Sequence, residues 1–211
     1  MLSVRHQKRF QRIGLSLLVF ALAGKTKGAD APADNAELKQ IYAADQNDRQ
    51  GPLGKALDWE KISPRDAARR NRVRELIEQG RLNSGKDYER AAMVFQHGEG
   101  SDDILLAHVL AVTATGKGDL DARWLAAATL DRFLTRVGQP QVFGTQFSYK
   151  TEGGQQTWTM EPYNRTLIVP SLRHANCVPD QKYQSESLEA LSKGQEPQPP
   201  AKRPCEEASS H

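Results

Sequence analysis

Between residues 34 and 137 the chain alternates apolar segments of helical periodicity with short breaks. Glycine and proline end or interrupt helices, and they recur in these breaks at Gly51-Pro52, Gly80, Gly98, Gly116, Gly118 and Gly138. Successive helices joined by two to six residues pack antiparallel. We therefore expect a mainly α fold, an antiparallel helical-hairpin stack built from five helices.

The helix starts are predicted from capping residues. The first helix begins at Asp34 or Asn35, and Ser63 followed by Pro64 is typical of a second helix that runs to about Glu78. The third is expected from Ser84 to Gln96 and the fifth from about Asp119 to Val137. Ser101 is predicted to cap the fourth helix, whose body ILLAHVLAV is apolar on every side and is therefore expected to be central and mostly buried.

The pattern changes after Gly138. Alternating residues on either side of Glu152-Gly153-Gly154 predict a small β-hairpin near residues 147–160, after the fifth helix. Asp180 to Leu191 predicts a last helix. Residues 194–211 contain four prolines with Gln, Glu and Ser, so we expect a disordered C-terminal tail. Residues 34–193 then form a single helical domain.

The amino terminus has the composition of an export signal. The uncharged run Ile13 to Gly24 follows four basic residues and ends in Ala21-Leu22-Ala23. As a helix this run is about 18 Å long, whereas a hydrocarbon core is about 30 Å thick. We therefore predict a signal peptide over residues 1–23 and a linker over 24–33, with cleavage between Ala23 and Ala31. The mature protein would be periplasmic or secreted, without a membrane span.

The net charge and the two cysteines limit the class of binding partner and the covalent links that the chain can form. Residues 1–23 contain four basic and no acidic residues, so their removal changes the formal net charge from +3 to −1. That balance argues against a nucleic-acid partner. Cys177 and Cys205 are the two cysteines. Export permits a disulfide between them, and two free thiols are the alternative.

Two polar clusters are candidates for chemistry. His97 closes the third predicted helix and lies one short turn before Asp103, so the two form an acid–base pair, two metal ligands or separate helix caps. Asp131 and Arg132 interrupt an apolar helix. Buried charges need partners, so Arg132 is expected either to bind an anionic group, with Asp131 orienting a histidine, or to join a structural ion-pair network.

The run QVFGTQ over residues 141–146 is the most distinctive in the chain. A glycine between an aromatic and a hydroxyl residue lets backbone approach a ligand or another segment closely. Gln141, Thr145 and Gln146 supply neutral donors and acceptors beside it. The run is either part of a binding site or a tight turn that attaches the hairpin to the helices.

These motifs resemble, in order, those of a bacterial family of uncharacterised proteins. Its members carry D-Q-x-x-R, a helix ending in Q-H, a later D-R and Q-x-[YF]-G-T-Q. The matching residues here begin with Asp45-Gln46 and Arg49, continue with Gln96-His97 and Asp131-Arg132, and end with Gln141–Gln146. Gly80-Arg81-Leu82 departs from the Gly-Trp-Pro of the family. The resemblance selects positions and implies no reaction.

Three hypotheses follow for these residues. In the first, which we favour, the chain is a periplasmic module that binds a ligand or a protein partner through six residues: Asp45, Arg49, Arg132, Gln141, Thr145 and Gln146. In the second it is a hydrolase or transferase in which His97 is the general base and Asp103 or Asp131 orients it. In the third the polar set only fixes helix packing. Since the chain has no HExxH, Walker, GxGxxG or CxxC motif, we expect neither a metal nor a cofactor.

Overall fold

A computed structural model describes residues 32–50, 57–152, 155–200 and 205. The predicted signal peptide and most of the predicted linker lie outside these residues. The described part contains seven helices and one β-hairpin, so the predicted mainly α fold is confirmed. In chain order the elements are α1 (Ala36–Asn47), α2 (Trp59–Glu78), α3 (Gly85–Phe95), α4 (Ser101–Gly116), α5 (Ala122–Arg136), β1 (Ser148–Glu152), β2 (Gln155–Thr159), α6 (Pro170–Ala175) and α7 (Gln181–Ser192).

Side-chain caps begin most of the longer helices. The side chains of Asn35, Asp58, Ser84 and Asp180 each accept a hydrogen bond from a backbone N–H of the first turn. At Ser84 the cap is reciprocal, because the Asp87 carboxylate accepts from the Ser84 N–H. Asp87 also accepts from the N–H of Asn35, at 2.9 and 3.0 Å, so the same buried carboxylate joins the start of α1 to the start of α3.

The second helix begins earlier than predicted. Asp58, not Ser63, is its N-cap, and Pro64 lies inside the helix rather than at its first position. A proline at this depth removes one hydrogen bond, to the carbonyl of Glu60. That carbonyl belongs to an exposed residue in the first turn, where water can replace the missing donor. The capping carboxylate of Asp58 therefore determines where the helix starts.

The fourth helix also differs from its prediction. Ser101 is its first residue and Gly100 its N-cap, with no side-chain cap. α4 packs between α3 and α5, and its third face is open: Leu105, Val109 and Val112 are 40%, 51% and 50% exposed. The expectation that this helix is mostly buried is therefore wrong. A helix that is apolar on every side is buried only on those faces against which other elements pack.

Two groups of buried side chains form the core. The larger lies among the first five helices and includes Leu38, Val73, Leu76, Phe95 and Leu125. The smaller consists of Ala127, Phe143 and Val178, with Leu130, Val142 and Ile168 packed against it. This second group places the segment after α5 against the C-terminal helices.

The predicted hairpin is present as two antiparallel strands. Tyr149 pairs with Trp158, and their ring centroids are 4.9 Å apart. β2 contacts α7, so the ribbon is supported by a helix, as an isolated two-stranded ribbon requires. The short helix α6 was not predicted. Its six residues are too few to show a helical period, although Pro170 at its first position is typical of a helix start.

The C-terminal segment returns along α7. Gly194 has a left-handed backbone with φ of 68°, and the described residues 195–200 form neither helix nor strand. The hydroxyl of Tyr183, in the first turn of α7, donates to the Gln198 carbonyl at 2.9 Å. Cys205 forms a disulfide with Cys177, which follows α6. Over the described ranges, no helix is both long enough and apolar enough to cross a membrane.

Candidate functional site

The run at residues 141–146 is a turn whose N–H groups point at one buried carboxylate. Asp131, fully buried in α5, accepts hydrogen bonds from the N–H groups of Val142, Phe143 and Thr145 at 2.7–2.9 Å. The Thr145 hydroxyl donates a fourth bond at 2.8 Å. The charge of Asp131 is therefore compensated by hydrogen bonds rather than by a cation.

The carbonyl side of the same turn is held by three other buried residues. Arg173 Nη1 and Gln184 Nε2 donate to the Phe143 carbonyl at 2.9 and 2.8 Å, and the Tyr163 hydroxyl donates to it at 3.3 Å. Gln184 Nε2 also donates to the Gly144 carbonyl at 2.6 Å. Sequence reasoning missed Arg173, Gln184 and Tyr163, which lie in the C-terminal third with no local pattern that marks them.

Gly144 is required by both backbone conformation and space. Its φ is 70°, in the left-handed region that side chains disfavour. A Cβ built at this position would lie 2.7 Å from the Tyr163 ring and 2.9 Å from Gln184 Oε1. The turn therefore approaches α7 as closely as a glycine allows.

The two glutamines of the run close the turn on itself. Gln141 Nε2 donates to the Gln146 carbonyl at 3.0 Å, and the Gln146 N–H donates to Gln141 Oε1 at 3.0 Å. Gln141 Nε2 also donates to the Met160 carbonyl after β2. The side-chain amide of Gln141 therefore forms the hydrogen bonds that a neighbouring strand would form, and it connects the turn to the end of the hairpin.

Arg132 connects this turn to the end of α3. Its Nε donates to Gln146 Oε1 and its Nη1 donates to the Gln96 carbonyl, at 3.0 and 2.9 Å. Burial, followed by the positive charges of Arg136 and Arg49, lowers the pKa of Arg132 from its ordinary value. Both of these acceptors are neutral, so neither contact corresponds to the predicted binding of an anionic group.

His97 lies beside Asp45, at the far end of the same chain of contacts. His97 Nε2 is 3.6 Å from Asp45 Oδ2 and, among the described residues, has no hydrogen-bond partner. Asp45 accepts from Arg49 Nη1 at 2.9 Å and from Gln46 Nε2 at 2.8 Å. Arg49 reaches on to Asp66 in α2, with its Nη2 2.5 Å from Oδ2.

Burial shifts the pKa values of this pair in opposite directions. Loss of solvent raises the pKa of Asp45 to about 6, partly offset by the charge of Arg49. The same loss of solvent, reinforced by Arg49 and then Arg132, lowers the pKa of His97 to about 3. At neutral pH, His97 is therefore an uncharged imidazole beside a carboxylate.

Neither carboxylate proposed to orient His97 does so. Asp103 faces α2, where its Oδ2 lies 3.2 Å from Arg70 Nε and its Oδ1 lies 3.0 Å from Arg74 Nη2. Asp131 is committed to the turn. The predicted pairing of His97 with Asp103 or Asp131 is therefore corrected: the carboxylate beside His97 is Asp45.

The structure thus brings the selected motif residues together in one polar network, in which His97 lies near Asp45 without a hydrogen bond to it. It runs from Asp45 and Arg49 past His97 and the Gln96 carbonyl to Arg132, then to Gln146 and the turn held by Asp131. Inside this network most polar groups have partners within the chain, and neither His97 nor Arg132 lines the cavities of about 750 and 690 Å³ that adjoin α7.

A cavity of about 750 Å³ lies on the other side of the turn. Gly144, Thr145 and Phe147 line it, so the motif turn forms part of its wall. The rest of the lining comes from helices α1, α3 and α5, from α7, from the disulfide and from the C-terminal segment that returns along α7. Its aromatic and apolar members include Tyr42, Met93, Trp124, Tyr183, Leu191 and Pro197, and its charged members are Lys86, Glu89 and Asp121.

Within the residues that the structure describes, no group of three or more His, Cys, Asp or Glu side chains could hold a metal ion. Comparison with known proteins supplies no relative from which a role could be transferred: no family model, curated protein or solved structure matches the chain.

Proposed function

We propose that this protein is an exported ligand-binding or protein-interaction module whose binding site is the cavity of about 750 Å³ beside the turn at residues 141–146. One observation carries the proposal. The polar residues that sequence analysis selected hold the turn from inside, while Gly144 and Thr145 present its outer side to the cavity. The network is then the support of a binding site rather than the site itself.

The chemistry of the cavity fits binding. Ligand pockets typically enclose roughly 300–1,000 Å³ and are lined mainly by apolar and aromatic groups with a few polar ones. Tyr42, Trp124, Phe147 and Tyr183 supply aromatic surface here. Trp124 is 44% exposed, so part of its ring is accessible to a ligand.

The alternative, a hydrolase or transferase with His97 as general base, has less support. A general base works best with a pKa near the working pH, and burial lowers that of His97 to about 3. Its neighbour Asp45 shares its two carboxylate oxygens with Arg49 and Gln46. The unpartnered Nε2 is the one feature that favours catalysis.

Export is part of the proposal and is supported by the amino-terminal sequence alone. A basic segment, a short apolar run and Ala21-Leu22-Ala23 indicate cleavage by a signal peptidase. Intact-mass spectrometry of the protein from its native host should give a chain that begins between Gly24 and Pro32. A chain that retains residues 1–23 in the cytosol would contradict this part of the proposal.

The binding proposal is tested by thermal-shift screening of the full chain against nucleotides, sugars, peptidoglycan fragments and peptides. A ligand that binds the folded state raises the melting temperature, and the rise grows with the logarithm of its concentration above Kd. Trp124→Ala should abolish the shift, whereas Trp59→Ala should preserve it. Trp59 is 57% exposed and lines none of the cavities described here, so it is a matched control. A shift that survives Trp124→Ala would place the ligand elsewhere.

A further inference from the structure

The tail after α7 lies along the cavity that we propose as the binding site. Pro197, Pro199 and Pro200 line the cavity of about 750 Å³. A second cavity, of about 690 Å³, lies between the same prolines and α7. We infer that this groove recognises extended proline-rich peptides, and that the chain's own residues 195–200 are its intramolecular ligand. The inference rests on the proposed function and names the ligand class of that site.

The dimensions of the two segments match. α7 has twelve residues and is therefore about 18 Å long at ~1.5 Å per residue. Six residues in the extended conformation that proline favours span about 19 Å at ~3.1 Å per residue. Because Gly194 reverses the chain, residues 195–200 can follow the whole of α7 back toward its first turn.

The contacts are those by which aromatic grooves bind proline-rich chains. Proline has no N–H, so such a segment is recognised through its carbonyls and its ring faces. The Tyr183 hydroxyl donates to the Gln198 carbonyl at 2.9 Å. Tyr183 also lines both cavities that flank the tail, and Trp124, Tyr42 and Phe147 line the larger one.

The tail is seated loosely enough to be displaced. The cavities on its two sides show that it fills the groove incompletely. Its far end is fixed by the disulfide between Cys205 and Cys177, so the tail remains near the groove at an effective concentration of roughly millimolar. A peptide from another molecule must therefore compete with the tail, and weakening the tail should strengthen peptide binding.

Fluorescence anisotropy of a labelled peptide tests this competition. The peptide has the sequence of residues 195–204, QEPQPPAKRP. It is titrated with the oxidised full chain and with a full-chain variant that combines Pro197→Ser, Pro199→Ser and Pro200→Ser. We expect the variant to bind the peptide at least tenfold more tightly. A control peptide with serine at the three corresponding positions should bind at least tenfold more weakly to the same variant.

Two further measurements extend the test, and the first of them uses the wild type and so does not depend on how the triple variant folds. Reduction of the wild-type disulfide should also tighten peptide binding, by several-fold. Tyr183→Phe in the triple-variant background should weaken it by several-fold, whereas Tyr149→Phe should not. Tyr149 is an exposed tyrosine of the hairpin that lines neither cavity beside the tail.

The outcomes separate this inference from the proposed function. Equal binding by the wild type, the reduced protein and the triple variant, or equal binding of the serine peptide, would overturn the inference. If a small molecule binds in the thermal-shift screen in a way that requires Trp124, while the peptide does not bind, the ligand class is wrong and the binding module stands. If neither a small molecule nor the peptide binds, both the proposed function and this inference are wrong.

Discussion

His97 Nε2 and Asp45 Oδ2 lie 3.6 Å apart, and burial shifts the pKa values of these two residues toward each other's normal range. The aspartate, with a pKa of about 6, resembles a histidine in its titration, and the histidine, with a pKa of about 3, resembles an aspartate. Both shifts have the same cause, because removal of water disfavours whichever form is charged. The pair therefore links the stability of the fold to pH in two opposite ways.

Replacing His97 with glutamine should make the free energy of unfolding less sensitive to acid. The pKa of His97 falls from 6.5 to about 3 on folding, so the unfolded state binds more protons between these values. The stabilising contribution is complete above pH 6.5 and is lost as pH falls toward 3. Relative to His97→Gln, the wild type should lose about 3 kcal/mol of unfolding free energy between pH 7 and pH 4. Urea unfolding at both pH values measures this difference.

Asp45→Asn should show the opposite sign. The pKa of Asp45 rises from 3.8 to about 6 on folding, so the folded state binds more protons between these values. Relative to Asp45→Asn, the wild type should therefore gain about 2 kcal/mol between pH 7 and pH 4. If the free energy of unfolding changes equally with pH in the wild type and both variants, the two side chains are more hydrated than the structure indicates.

Asp131→Asn should destabilise the fold without changing the volume of the side chain. The carboxylate accepts four hydrogen bonds from the turn, and an amide would direct its own N–H donors at some of these N–H and O–H groups. We expect a loss of about 2–4 kcal/mol in urea unfolding. Asp102→Asn, at an exposed position in the first turn of α4, should cost less than about 1 kcal/mol. Equal effects would mean that the turn tolerates loss of the charge.

Gly144→Ala and Gly138→Ala separate steric exclusion from backbone strain. Both glycines have positive φ, of 70° and 73°. A Cβ at Gly138 meets nothing within 4 Å, whereas at Gly144 it collides with Tyr163 and Gln184. Gly138→Ala should cost about 1–2 kcal/mol, and Gly144→Ala about 2–3 kcal/mol more, in thermal or urea unfolding. A cost at Gly144 no larger than that at Gly138 would contradict the close packing of the turn against α7.

Reduction of the disulfide should lower stability through the freedom it restores to the unfolded chain. The two cysteines are 28 residues apart. On the chain-entropy model, a loop of this length is worth about 3–4 kcal/mol. The melting temperature of the wild type should fall on adding reductant, while that of Cys205→Ser should already be low and should not respond. A wild type unaffected by reductant would show that the bridge does not restrict the unfolded chain enough to stabilise the fold.

Local sequence was sufficient for most of the secondary structure. Ser84 begins α3 as predicted, because a capping side chain acts on N–H groups within its own turn. The start of α2 was missed because Asp58 and Ser63 are both competent caps, and the helix that Asp58 caps tolerates Pro64 in its second turn. The open face of α4 was missed for a related reason: hydrophobicity predicts burial, but the neighbouring elements decide which faces are covered.

The candidate site was also predictable from the sequence in part only. The amino-acid sequence alone identified six of the seven described helices, the hairpin and the polar residues Asp45, His97, Asp131, Arg132, Gln141 and Gln146. Tertiary structure decided their partners: it placed His97 beside Asp45 instead of Asp103, directed Asp131 to the turn and brought Arg173 and Gln184 to the turn's other side. Backbone propensity and capping act over a few residues, whereas a buried polar group is satisfied by whichever group the packing of distant segments brings within 3 Å.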